Sequence, residues 1–222
     1  MYIDTANSQE IKECLSLGIF KGVTTNPTLL LKEKTQRGLK IQELLNQSKG
    51  QLFVQTIGET AGEMVMDSQL IKANDVNNRI ILKIPINREG LIAIKELKIK
   101  LPTTELLGTA IYSSEQGIMA GKAGCDYVAP YVNRMLNNNV DPYQVIKEIK
   151  RYFVAQQIPC LIMGASYQSA TQVMASFSAG VDTVTISSEI VQQMLEKEVA
   201  NQAIAVFNQQ GNELAKLKLE GN

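Results

Sequence analysis

Short apolar runs alternate with longer amphipathic stretches along the whole chain. The first run, Tyr2-Ile3-Asp4-Thr5, precedes a helical pattern over 7–18. Gly22-Val23-Thr24-Thr25-Asn26 precedes a helical region broken near Gly38, and Leu52-Phe53-Val54-Gln55 a helix near 63–73. Ile80-Ile81-Leu82-Lys83-Ile84 leads into a helix over 89–100, and Leu106-Leu107-Gly108-Thr109 into one near 114–123. Tyr127-Val128-Ala129-Pro130 precedes a helix near 141–153, Leu161-Ile162-Met163 one near 169–179, and Val184-Thr185-Ile186 one near 189–195. About eight strand-then-helix units recur at roughly 25-residue spacing, which predicts a parallel sheet covered by helices. Eight such units point to a (β/α)8 barrel spanning 1–222 as a single domain. Barrels of this kind usually take about 250 residues, so the loops here must be short. The rival is an open doubly wound sheet, which would want a glycine-rich phosphate turn. Neither GxGxxG nor GxxxxGK[ST] occurs. A further helical stretch, about 198–217, follows the eighth unit and carries Val199, Ala203, Ile204, Val206 and Phe207 at helical spacing. That stripe could cover the chain's own barrel or pack on a neighbouring subunit.

Strands of an all-parallel barrel are buried on both faces and should read as apolar. The exceptions are informative. Lys83 stands inside Ile80-Ile81-Leu82-Lys83-Ile84-Pro85-Ile86, with three apolar residues on each side. Desolvation disfavours a charged amine, and a neutral amine attacks carbonyls to form a Schiff base. A lysine in this position could also snorkel from a strand end or pair with a carboxylate. Asp4, Asn26, Gln55 and Thr109 end other strands, Tyr131 and Arg134 follow the sixth, and Ser166 follows the seventh. Singly, each has an ordinary structural explanation: a helix cap, a turn, a satisfied loop or a solvated guanidinium. Together they gather at the C-terminal ends of strands, the face on which barrel enzymes carry their active sites. Gly164-Ala165-Ser166 follows the seventh strand, where barrels often hold phosphate on loop amides, and Arg134 could reach an anion there.

Composition removes other chemistries. There is no histidine, so imidazole catalysis, Ser-His-Asp triads and histidine-ligated zinc are excluded. Lys+Arg and Asp+Glu both number 22, which argues against a nucleic-acid binder that relies on bulk charge. Cys14, Cys125 and Cys160 are odd in number and far apart; they form neither a CxxC metal site nor a disulfide framework and suit a reducing compartment. The N-terminus lacks a basic, apolar leader pattern, and no apolar run reaches membrane-span length. The expected setting is cytoplasmic, without membrane or nucleic-acid partners, and no metal is expected.

Five segments together resemble the transaldolase family: Gly22-Val23-Thr24-Thr25-Asn26-Pro27-Thr28, Leu82-Lys83-Ile84-Pro85, Leu107-Gly108-Thr109-Ala110, Ala129-Pro130-Tyr131-Val132-Asn133-Arg134 and Gly164-Ala165-Ser166. They fall in the family's order and spacing, and the likeness runs from Tyr2 to the C-terminal helix. The short length resembles the compact subfamily that includes fructose-6-phosphate aldolase. The resemblance implies Lys83 as the Schiff-base lysine, with no separate cofactor, and Asp4 as general base. It implies Tyr131, Gln55 and Thr109 around a catalytic water, and Asn26, Thr24, Arg134 and Ser166 on a sugar-phosphate substrate. It also implies a ring-like homo-oligomer, a pentamer or decamer, with the C-terminal helix reaching a neighbour. Transaldolases usually carry glutamate where this chain has Gln55 and phenylalanine where it has Tyr131. Both positions therefore lean toward the aldolase, with transfer of a dihydroxyacetone unit in the pentose phosphate pathway as the alternative. Gln168 stands where the family commonly has a basic residue, which would weaken phosphate binding or favour unphosphorylated aldehydes.

Overall fold

The computed structural model describes residues 1–73, 75 and 77–219, with side chains described to residue 217. The strands are β1 (Tyr2–Asp4), β2 (Gly22–Thr24), β3 (Gln51–Gln55), β4 (Ile80–Pro85), β5 (Leu106–Ile111), β6 (Tyr127–Pro130), β7 (Leu161–Gly164) and β8 (Thr183–Ile186). Each pairs in parallel with the next, and β8 returns to β1 through Tyr2↔Thr185 and Ile3↔Ile186, closing the eight-stranded barrel. The helices are α1 (Ser8–Ser16), α2 (Pro27–Lys32), α3 (Arg37–Gln47), α4 (Ala61–Lys72), α5 (Arg88–Lys100), α6 (Ser114–Lys122), α7 (Val132–Asn137), α8 (Pro142–Ala155), α9 (Ala170–Ala179), α10 (Ser188–Leu195) and α11 (Glu198–Leu219). The expected (β/α)8 barrel with an extra C-terminal helix is the fold observed.

Alternation along each strand divides the apolar residues into two cores. Outward residues such as Ile3, Val54, Leu82, Val128 and Val184 pack under the helices in one large shell. Inward residues form a smaller cluster of Tyr2, Phe53, Ile81, Leu107, Tyr127, Ala129, Met163 and Ala165. Phe53 is at its centre, edge-on to Tyr2 at 4.9 Å and to Tyr127 at 5.4 Å between ring centroids. The barrel is thus a filled interior and not a pore.

Boundaries differ from the sequence pattern in two informative places. The break in the second helical region falls at 33–36, ahead of Gly38, where the chain turns through Lys34 at φ 51°. Gly38 itself lies in the first turn of α3. The segment after β6, to which the sequence pattern assigns no helix before about 141, begins with the helix α7, which is too short to show a helical period in the sequence. Helix α11 differs from all the others. Every described side chain on it is exposed, including Val199, Ile204, Val206, Phe207, Leu214 and Leu217. Its apolar stripe does not cover the chain's own barrel. Among the described residues, no helix is long and apolar enough to cross a membrane.

Candidate active site

The polar site residues sit one step above the apolar floor of the barrel. An inward-facing residue recurs every second position along a strand. Tyr2, Phe53, Ile81 and Leu107 form the floor. Two residues further along the same strands stand Asp4, Gln55, Lys83 and Thr109. The strand register places neighbours side by side, with Asp4 opposite Thr24 and Gln55 opposite Lys83. A cavity of about 320 Å³ opens over this layer at the C-terminal ends of the strands. That volume is at the lower end of the ~300–1,000 Å³ typical of small-molecule sites.

The nine candidate catalytic and substrate-binding residues all line this cavity: Asp4, Thr24, Asn26, Gln55, Lys83, Thr109, Tyr131, Arg134 and Ser166. Lys83 lies two residues inside the end of β4 and is only 6% exposed. Burial lowers its pKa from the ordinary lysine value, and the charge of Asp4 partly opposes that shift. Its Nζ donates to the Thr25 carbonyl oxygen at 2.6 Å. That bond aims the amine, and in the neutral form a lone pair remains for a carbonyl carbon.

Two hydrogen-bonded sets flank the amine. Thr24 Oγ1 donates to Asp4 Oδ1 at 2.7 Å and lies 2.5 Å from Thr185 Oγ1. A hydroxyl has one hydrogen to give. With Thr24 giving its own to the carboxylate, Thr185 donates to Thr24. In the second set Thr109 Oγ1 and Tyr131 Oη are 2.9 Å apart. The Tyr131 ring is held by Arg134, whose Cζ lies 5.1 Å from its centroid, and by the edge of Tyr112 at 5.7 Å. Arg134 Nη1 also donates to Tyr112 Oη at 3.3 Å, which places the guanidinium at the cavity mouth.

Asn26 has a double placement. Its side-chain oxygen accepts from Leu29 N at 3.0 Å as the N-cap of α2, with Pro27 in the first turn. The amide therefore borders the cavity in a fixed orientation. Two non-glycine residues of the lining, Ala110 at φ 57° and Ser166 at φ 60°, occupy the left-handed region. Such backbone strain costs about 1–3 kcal/mol per residue and gathers at functional sites. Ala110 lies at the register shift between β5 and β6, where the bulge turns the strand after Thr109. The glycine of Gly164-Ala165-Ser166 has a packing cause: a Cβ there would stand 1.9 Å from Tyr167 Oη. Gln168 is exposed and does not line the cavity.

Sequence reasoning missed three contributors. Thr185 interrupts Val184-Thr185-Ile186 as Lys83 interrupts β4, and carries the same signal. Tyr112 carries no such signal, since an aromatic residue after a strand is ordinary core. The Thr25 carbonyl that holds Lys83 Nζ is a backbone group, which a sequence cannot display. Among the described residues there is no group of three or more histidine, cysteine, aspartate or glutamate side chains placed to hold a metal ion.

A comparison with protein families accords with this geometry. The family model described as Transaldolase/Fructose-6-phosphate aldolase matches residues 1–221. The chain belongs to that family.

Proposed function

We propose that this member of the transaldolase/fructose-6-phosphate aldolase family is a class I aldolase. It cleaves fructose 6-phosphate to dihydroxyacetone and glyceraldehyde 3-phosphate, and forms it in reverse. The observation that carries the reading is Lys83: a desolvated amine inside the barrel, facing a cavity whose lining includes the carboxylate of Asp4.

Lys83 Nζ attacks the C2 carbonyl of the ketose, and water leaves to give an iminium. As the C3–C4 bond breaks, its electron pair moves into the iminium and Asp4 takes the proton of the C4 hydroxyl. Glyceraldehyde 3-phosphate departs and an enamine stays on Lys83. Tyr131, with a water held by Gln55 and Thr109, returns a proton to C3. Water then adds to the resulting iminium, releasing dihydroxyacetone and the free amine. Thr24 and Thr185 hold the Asp4 carboxylate in line. Asn26 and Thr24 meet substrate hydroxyls, Ser166 meets a hydroxyl or the phosphate, and Arg134 holds the phosphate as a charged donor. The iminium is the electron sink, so the scheme calls for no separate cofactor.

The tyrosine hydroxyl, 2.9 Å from Thr109, favours cleavage over transfer, because it can protonate the enamine before an acceptor aldehyde arrives. The decisive experiment incubates the protein with fructose 6-phosphate and follows glyceraldehyde 3-phosphate through a coupled dehydrogenase, with and without erythrose 4-phosphate. Release without the acceptor supports the aldolase. Release only with it makes the protein a transaldolase working in pentose phosphate interconversion.

The setting proposed with this reaction is cytoplasmic, which suits the free, buried thiols of Cys14, Cys125 and Cys160. We take residues 1–222 as one barrel domain with α11 appended. A homo-oligomer, a pentamer or decamer, would cover the exposed Val199, Ile204 and Phe207 of α11. Sedimentation of the purified chain tests that assembly.

A further inference from the structure

Outside the cavity, an ion pair lies behind β3. Arg37, in the first turn of α3, and Asp67, on α4, form a bidentate pair, Nη1 to Oδ1 at 2.6 Å and Nη2 to Oδ2 at 3.0 Å. Both partners also grip the main chain where β3 ends. Arg37 Nη2 donates to the carbonyl oxygen of Gln55 at 2.7 Å, and Asp67 Oδ2 accepts from Ile57 N at 2.9 Å. Between these grips Thr56 N and Thr56 Oγ1 both donate to the carbonyl oxygen of Lys83, at 3.0 and 3.4 Å. Three consecutive residues are thus fixed, one bearing the side chain that faces the cavity and the next tied to the backbone of the nucleophile.

The physical need is plain. The ladder between β2 and β3 makes its last pair at Phe53, and that between β3 and β4 at Gln55. Beyond these points backbone groups need other partners, and the chain is free to fray. A neutral side chain could satisfy one carbonyl. A guanidinium locked in a fork on a carboxylate presents a further N–H in a fixed direction, and the carboxylate keeps an acceptor for the next amide. The side chains of Arg37 and Asp67 are 28% and 14% exposed, so the pair is partly shielded from solvent. Whatever the pair adds to global stability, proton transfer through a held water is sensitive to displacements of about 1 Å.

We infer that Arg37 and Asp67 are positioning residues for the reaction: they clasp residues 55–57 and so set the side chain of Gln55 over the enamine. This rests on the role given to Gln55 above. Loosening the clasp should impair release of free dihydroxyacetone while leaving formation of the Schiff base and transfer to an aldehyde nearly intact.

The test uses Arg37→Met, Arg37→Lys, Asp67→Asn, Gln55→Ala and the double variant Arg37→Met/Gln55→Ala in the full chain. Two products are measured from fructose 6-phosphate with erythrose 4-phosphate present: free dihydroxyacetone and the seven-carbon sugar phosphate. Borohydride trapping on Lys83 reports Schiff-base formation. Arg37→Met and Asp67→Asn should each lower the ratio of free dihydroxyacetone to transfer product about tenfold, a fraction of the ~10²–10⁴-fold that a positioned proton donor contributes. Trapping should persist, and Arg37→Lys, which can still donate to the Gln55 carbonyl, should recover part of the ratio. Gln55→Ala should lower the ratio alike, with no further fall in the double variant, because the arginine acts through the glutamine. A proportional loss of both products, or a further fall in the double variant, overturns the inference. If Gln55→Ala shifts the ratio and the clasp variants do not, only the clasp fails. If Gln55→Ala leaves the ratio unchanged, the role of Gln55 fails and the clasp falls with it. Should Arg37→Met prove insoluble, the near-isosteric Asp67→Asn carries the same comparison.

Discussion

Replacing Tyr131 with phenylalanine removes one atom, the hydroxyl oxygen that lies 2.9 Å from Thr109 Oγ1. The ring should keep its place, because its contacts with the Arg134 guanidinium at 5.1 Å and the Tyr112 edge at 5.7 Å do not involve the hydroxyl. The stability loss is that of a hydrogen bond. A typical bond contributes a net ~0.5–1.5 kcal/mol, and the orphaned Thr109 hydroxyl borders a cavity that water can enter. A cost of about 1 kcal/mol follows, or about 2–4 °C in melting temperature for a chain of this size. The catalytic loss should be larger. A positioned proton donor contributes ~10²–10⁴-fold, equivalent to about 3–5 kcal/mol of barrier. The two effects therefore separate by magnitude. The assay is fructose 6-phosphate cleavage without an acceptor, followed through glyceraldehyde 3-phosphate, set against transfer to erythrose 4-phosphate. Cleavage by Tyr131→Phe should fall at least about 10²-fold while transfer stays within several-fold of the parent. Equal loss of both, or unchanged cleavage, would refute the assignment of enamine protonation to this hydroxyl.

Lys83→Met should abolish turnover and the borohydride-trapped adduct, yet raise the melting temperature near neutral pH. Burial depresses the folded pKa of Lys83 below its unfolded value, so the unfolded chain binds more protons between the two values and the parent gains stability as pH rises through that window. Methionine removes this dependence; a parent and variant with parallel stability–pH curves would contradict it. Thr185→Val deletes the donor to Thr24, 2.5 Å away, and should lower kcat several-fold with KM nearly unchanged, since it acts through the Asp4 carboxylate; a change confined to KM would count against the chain. Phe53→Ala empties the fully buried centre of the inner core and should cost about 3–5 kcal/mol by calorimetry, whereas a loss below ~1 kcal/mol would mean the barrel collapses onto the gap. Dialysis against a chelator should leave cleavage unchanged because the iminium supplies the electron sink, and loss restored by a divalent cation would contradict the scheme.

The candidate site was legible because barrel strands have a strong apolar expectation, so polar exceptions stand out. Lys83 between Leu82 and Ile84, Asp4 after Ile3 and Gln55 after Val54 all showed in this way. Arg134 and Ser166 were placed by their position after strands, and both line the cavity. What escaped lacks that contrast. Asp67 on α4 and Arg37 on α3 read as ordinary charges on amphipathic helices, yet they meet across the back of β3 at 2.6 Å. Thr185 was visible in principle but its pairing with Thr24 was not, since the two hydroxyls are separated by 161 positions in the chain. Gly164 showed its backbone neighbours but not Tyr167, whose folded-back hydroxyl gives that glycine its reason.

The sequence alone determined the alternation of strand and helix, the unit count that makes a barrel, and the residue types available for chemistry, with histidine absent. These follow from periodicities of about 2 and 3.6 residues and from composition, which are local properties of the chain. Tertiary structure decided the rest. Barrel closure through Tyr2↔Thr185 and the stagger between strands set which inward residues share a layer. Only that stagger put Thr24 against both Asp4 and Thr185 and paired Thr109 with Tyr131, and only packing showed that the stripe on α11 faces solvent. A side chain's partners across a barrel depend on register summed around all eight strands, a long-range quantity that no window of sequence contains.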